Sequence, residues 1–195
     1  MFGSQSQIII FDAEYTTWEG ALERGWSGPG EHRELVQIGA IRVNTQTLKE
    51  TDSFEIFIKP SINPILAPYF IELTGITQKI VDEKGISFAI AWQRFIAWMG
   101  GDFAYSFGND IVVIQENCKL FDVPLLVKRE RFKNICNLFE KYGINTDQYH
   151  SSTIVRAFGK EPRSGAHNAL TDARSILDGL ILLHARMKSN STQLF

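Results

Sequence analysis

The sequence predicts a single α/β domain, on three observations. Short β-rich apolar runs, residues 8–11 first among them, are interspersed with stretches whose apolar residues recur every three to four positions. A chain of 195 residues with 44% hydrophobic and 12% aromatic content is about one domain, with enough apolar surface for a sizeable core. Glycine- and proline-bearing segments separate the runs. The expected domain covers residues 1–187, and the polar residues 188–195 are expected to fray from it.

Ile8-Ile9-Ile10-Phe11 is apolar on both faces, the mark of a strand covered on both sides, and Asp12 and Glu14 follow one residue apart. Side chains alternate along a strand, so the two acids point to the same side, roughly 6.5–7 Å apart in rise. Burying them costs free energy, because each carboxylate loses water and repels the other unless a cation lies between them. The competing reading of this motif alone is a strand end with solvated acids.

Residues 15–33 form a polar loop marked by Gly25, Gly28, Pro29 and Gly30, in which Trp18 and Trp26 either cover a substrate or fold back onto the core. Strands are expected at 35–43 and 53–58 with a turn at 44–52, an antiparallel meander with the first strand. Pro60, Pro64 and Pro68 break up the next stretch, and a short helix around 69–74 ends at Gly75. Ser87 is placed to cap a helix in which Phe88, Trp92, Phe95 and Met99 make a core stripe, stopped by Gly100-Gly101. A fourth strand over 103–107 leads through Gly108-Asn109-Asp110 into a helix reaching about Leu120. Asp110 thus falls where a strand hands over to a helix, an edge at which open sheets place ligands.

The basic run 128–133 is a solvated surface stretch or a phosphate contact. A fifth strand is expected at 134–137, then a helical stretch, and a short helix at 151–158. Leu170, Ala173, Leu177, Leu180, His184 and Met187 mark a long amphipathic final helix, with His184 at the core edge. A formal net charge of −2 excludes a protein that coats long duplexes by neutralising phosphates, and leaves room for one that grips a chain end through bound cations. Cys118 and Cys136 read as free buried thiols and suit a reducing cytoplasm; no secretory signal or membrane-spanning run is visible, and no protein partner is legible.

Asn168 is an N-cap candidate for the last helix, leaving His167 on the preceding loop and Asp172 within the first turns. A loop-borne imidazole suits a proton carrier, and a helix-borne carboxylate suits a rigid ligand. Asp12, Glu14, Asp110 and Asp172 are four acids in such contexts, with His167 beside them. Hard oxygen donors select Mg²⁺ or Mn²⁺, and two such ions roughly 3.5–4 Å apart stabilise an in-line phosphoryl displacement. Neutral imidazole can take the proton of the attacking water, so the chemistry indicated is hydrolysis of a phosphodiester.

Asp12-x-Glu14, then Asp110, then His167 with Asp172 five residues on, resembles the DEDDh 3′→5′ exonucleases, which include ribonuclease T, proofreading subunits and oligonucleotide-trimming RNases. Phe11-Asp12-Ala13-Glu14-Tyr15-Thr16, Val36-Gln37-Ile38-Gly39-Ala40 and Leu73-Thr74-Gly75-Ile76 are also similar to that family. The resemblance implies a ribonuclease H-like fold, a mixed five-stranded sheet flanked by helices. It implies metal-dependent cleavage at a single-stranded 3′ end, RNA slightly ahead of DNA, with release of nucleoside 5′-monophosphates. In that scheme Asp12, Glu14 and Asp172 hold the nucleophile-side ion, Asp12 and Asp110 serve the second, and His167 is the general base. Backbone at Ala13 and Glu14 meets the terminal nucleotide, Leu73, Thr74 and Gly75 line its base pocket, and Tyr15 or Phe107 stacks nearby. The chain departs from the family pattern at Gly108-Asn109, where an aromatic residue more often precedes the middle aspartate; Asp102 and Glu116 are the alternatives for that acid. A catalytically silent binding or regulatory module and a polymerase-associated proofreading exonuclease are the alternative functions.

Overall fold

The structure, a computed structural model, describes residues 2–165 and 167–192, the side chains of 190–192 excepted. Five strands, β1 (Gln7–Tyr15), β2 (Leu35–Asn44), β3 (Lys49–Phe57), β4 (Ala104–Ser106) and β5 (Phe132–Asn134), form one sheet in the order β3-β2-β1-β4-β5. The β1–β2 and β2–β3 pairs are antiparallel, the expected meander, while β1–β4 and β4–β5 are parallel, so the sheet is mixed. Helices α1 (Pro68–Thr74), α2 (Gln78–Lys84), α3 (Phe88–Met99) and α4 (Asp110–Leu120) precede β5; α5 (Cys136–Lys141), a 3-10 segment (Ser151–Phe158) and α6 (Ala169–Thr192) follow it.

The two faces of β1 sort the core. Ile9, Phe11 and Ala13 pack with Trp92, Phe95 and Met99 of α3 and with Phe132, whereas Ile8 and Ile10 pack with Leu177 and Leu180 of α6 and with Ile154. The period-two alternation of a strand puts Asp12 and Glu14 on the second of these faces, toward α6. β1 also overruns β4: their last registered pair is Ile10 with Tyr105, so Asp12 to Glu14 lie past that edge of the parallel pairing.

Several boundaries differ from expectation. β1 continues through both acids to Tyr15, because Asp12 pairs with Gly39 and Glu14 with Gln37 in the β2 ladder. β3 starts at Lys49, four residues early; this edge strand is polar and exposed at its start, so it lacks the apolar alternation that marks a half-buried strand. The fifth strand occupies Phe132–Asn134, with Phe132 buried; of the residues expected to form it only Asn134 does, while Cys136 and Asn137 open α5. α2 is additional, started by Thr77, whose side chain accepts from the Ile80 N–H at 3.3 Å. Ser87 sits at the α3 N-cap without a side-chain hydrogen bond. The polar residues from Lys188 continue α6 to Thr192 instead of leaving it, and residues 193–195 lie outside the described residues. Among the described residues no helix is long and apolar enough to cross a membrane.

Candidate active site

Asp172 reaches the β1 acids because α6 starts hard against β2. A Cβ added at Gly39 would lie 2.1 Å from the Leu170 backbone nitrogen and 2.5 Å from its Cα, so only glycine admits the helix there. Gln37, fully buried, fastens the same junction: its Oε1 accepts from the Ala169 N–H at 2.9 Å and its Nε2 donates to Glu55 at 2.8 Å. Asn168 caps α6 as expected, its Oδ1 accepting from the Thr171 N–H at 3.2 Å. These ties account for the Gln37-Ile38-Gly39 stretch in terms of packing.

With α6 so placed, Asp12, Glu14 and Asp172 each offer a carboxylate oxygen, and the three oxygens lie within 4.8 Å of one another. All three side chains are nearly inaccessible, at 7%, 9% and 2% exposure. Asp172 Oδ2 accepts from Ser151 Oγ at 3.2 Å and from the His167 N–H at 3.3 Å. Asp110, the first residue of α4, lies near enough for its charge to act on Asp12 and Glu14. Its turn is held by the Gly108 N–H, which donates to Asn134 Oδ1 of β5 at 3.1 Å.

Burial, and secondarily the other carboxylates, pushes the Asp12 carboxyl well above its usual range. The same causes raise Glu14 to about 8 and Asp110 to about 7, and burial raises Asp172 to about 6. Burial followed by the nearby His150 lowers His167, favouring the neutral imidazole. Asp110 Oδ2 and Asp172 Oδ1 are buried without any hydrogen-bond partner. Unpaired buried carboxylate oxygens in an all-oxygen donor set fit hard divalent cations, whose charge would reverse the repulsion.

The four acids and His167 line a cavity of about 490 Å³, within the range of small-ligand sites. Ala13, Tyr15, Leu73, Thr74 and Phe107 also line it. Gly75 is outside its wall; it ends α1 with φ 72°, its N–H donating to the Ile71 carbonyl at 2.8 Å, so its role is a helix cap. Trp18 and Trp26 both line the cavity, and Trp26 also packs edge-on against Tyr15 with the Arg33 guanidinium 5.0 Å above its ring. The alternative middle acids are otherwise engaged: Asp102 pairs with Arg42 and Glu116 with Arg33. The basic run enters β5 at its start, whereas Asp110 lies beyond the end of the parallel β4, so the run sits at the opposite end of the strands from the acids. Ser151 and His150 also line the cavity, and neither is a candidate in the sequence, where residues 151–158 read only as a short helix.

The RNase T exonuclease family model matches residues 9–179. The chain is 26% identical over 182 residues to human 3′-5′ exoribonuclease 1, covering 87% of this chain and 50% of that protein. It is 35% identical over 94 residues to the 3′-5′ exonuclease Snipper of Drosophila melanogaster, covering 48% and 32% respectively. The chain therefore spans half the length of the human relative. Among solved structures, the nuclease domain of 3′hExo, a DEDDh family member bound to rAMP, superposes with a TM-score of 0.79 at 24% identity, covering 97% of this chain and 95% of that one. Cell-death related nuclease 4 superposes with a TM-score of 0.74 at 17% identity, covering 93% and 64%. The fold is thus ribonuclease H-like.

Proposed function

Because the chain belongs to the RNase T exonuclease family of DEDDh 3′→5′ exonucleases, we propose that it trims single-stranded nucleic acid from the 3′ end by metal-dependent hydrolysis, taking RNA ahead of DNA and releasing nucleoside 5′-monophosphates. The observation that carries this reading is the convergence of Asp12, Glu14 and Asp172 within 4.8 Å, with Asp110 beside them and two buried carboxylate oxygens unpaired. Asp12, Glu14 and Asp172 would hold one Mg²⁺ or Mn²⁺ ion, and Asp12 with Asp110 a second. Such ions, when bound, acidify water and neutralise charge building on the phosphoryl oxygens.

The remaining work falls to the chain's own groups. His167 accepts the proton of the attacking water; burial and the neighbouring His150 favour the neutral form this requires. Asp172 is oriented by Ser151 Oγ and the His167 N–H, so the base and a ligand share one hydrogen-bonded unit. Leu73, Thr74, Tyr15 and Phe107 supply walls for the terminal nucleoside, restricting water around it. The preference for RNA is supported by the human relative, which is named an exoribonuclease. A reducing, cytoplasmic setting belongs to the same proposal, supported by the free buried thiols Cys118 and Cys136, as does a single exonuclease domain that takes in α6.

Digestion of 5′-labelled single-stranded RNA and DNA of matched sequence with Mg²⁺, Mn²⁺ or chelator tests the proposal. The expected result is a ladder shortening from the 3′ end only with metal, faster on RNA. A folded protein that cleaves neither substrate in either metal overturns it.

A further inference from the structure

His167 has an unusual backbone conformation, φ +60°, which is costly for a residue with a Cβ and does not persist in an exposed loop without restraint. The loop before it offers little of its own. Glu161, Arg163, Ser164 and Gly165 are exposed, and among the described residues no backbone-to-backbone hydrogen bond involves residues 161–165. Among the described residues, one side-chain pairing ties this segment to the body of the protein. Arg163 donates to Asp178 through Nε at 2.6 Å and through Nη2 at 2.9 Å, a two-point grip that fixes orientation as well as distance. Asp178 lies on α6 six residues after Asp172, about 9 Å along the same rigid helix. On the other side of the loop, the His167 N–H meets Asp172 Oδ2 at 3.3 Å.

Resting on the general-base role proposed for His167, we infer that Arg163 is a positioning residue. Its grip on Asp178 registers the His167 loop to the helix that carries Asp172. Without it the left-handed turn relaxes and the imidazole leaves the cavity wall for part of the time. The chemical step depends on the fraction of molecules with His167 in place, whereas substrate binding depends on the acids and on the walls from β1 and α1. The loss therefore falls on kcat.

Arg163→Ala should lower kcat on a 5′-labelled single-stranded oligonucleotide about 10-fold, less than removing the base itself, and leave KM within about 2-fold. Arg163→Lys, which keeps the charge without the fork, should recover part of that loss. The deciding arm combines Arg163→Ala with His167→Ala. If Arg163 acts through His167, its substitution changes kcat by less than about 2-fold once the imidazole is gone. An equal loss in both backgrounds, or a loss expressed in KM, overturns the inference. Should Arg163→Ala fold poorly, Asp178→Asn in the same cycle gives the same reading with the arginine retained. A His167→Ala enzyme with undiminished kcat instead overturns the general-base assignment, and that failure is read from the single variant alone.

Discussion

At the scale of single residues, Asp12 and His167 should fail differently when replaced. Asp12 shares its oxygens with Glu14 and Asp172 and feels Asp110, so Asp12→Asn should abolish cleavage and weaken cation binding together, measured by single-turnover digestion and Mn²⁺ titration. His167→Ala should leave Mn²⁺ affinity unchanged and reduce kcat about 10²–10⁴-fold, the usual worth of a general base. A His167→Ala protein that loses cation affinity would show the imidazole to be a ligand. The middle acid is tested alongside: Asp110→Asn should be as damaging as Asp12→Asn, while Asp102→Asn and Glu116→Gln, whose carboxylates pair with Arg42 and Arg33, should retain most activity. The four acids stood out as candidates in the sequence because acids at the end of an apolar strand or the start of a helix demand an explanation, and His167 because it directly precedes the helix that carries Asp172. Ser151 was not, since its contact with Asp172 joins positions 21 apart and leaves no local signature.

At the scale of elements, the site depends on how closely α6 crosses β2. Gly39→Ala would place a methyl 2.1 Å from backbone at Leu170, and neither a strand paired on both sides nor a helix start can yield by a side-chain rotation. The variant should lose about 1–3 kcal/mol or more in urea unfolding. It should also bind Mn²⁺ more weakly, because a shifted α6 carries Asp172 away from β1. Unchanged stability with unchanged cation affinity would show that the junction is not tight. Patterning revealed α3 and α6, whose apolar stripes are long and periodic, and the meander, whose strands are long. It misplaced β5, three residues placed by pairing with β4, because so short a strand has no periodicity of its own. It stopped β1 at the first acid, because the ladder that carries the strand onward depends on partners in β2 that are remote in sequence.

At the scale of the whole molecule, the acid cluster should leave a signature in stability. In the unfolded chain carboxyls titrate near 4, whereas in the fold burial raises Asp172 to about 6, and burial with repulsion from neighbouring carboxylates raises Asp110 to about 7 and Glu14 to about 8. Between these limits the folded state binds more protons than the unfolded one, so stability is greatest below about pH 4–5 from this source and falls as pH rises toward 8. The metal-free protein should therefore melt at progressively lower temperature from pH 5 to pH 8 in chelator, with each kcal/mol lost worth about 2–4 °C at this size. Divalent cations bind the ionised carboxylates, so added Mg²⁺ or Mn²⁺ should raise the melting temperature most at pH 8 and little at pH 5. Glu14→Gln with Asp172→Asn should flatten both dependences, which separates the cluster from every other titrating group. A metal-free melting temperature that rises with pH over this window would mean that the four carboxylates do not share one desolvated site. The opposite slope, together with the largest Mg²⁺ or Mn²⁺ effect at pH 8, would tie positions 12, 14, 110 and 172, brought together by the order β3-β2-β1-β4-β5 and the crossing of α6, to a single cation-binding centre.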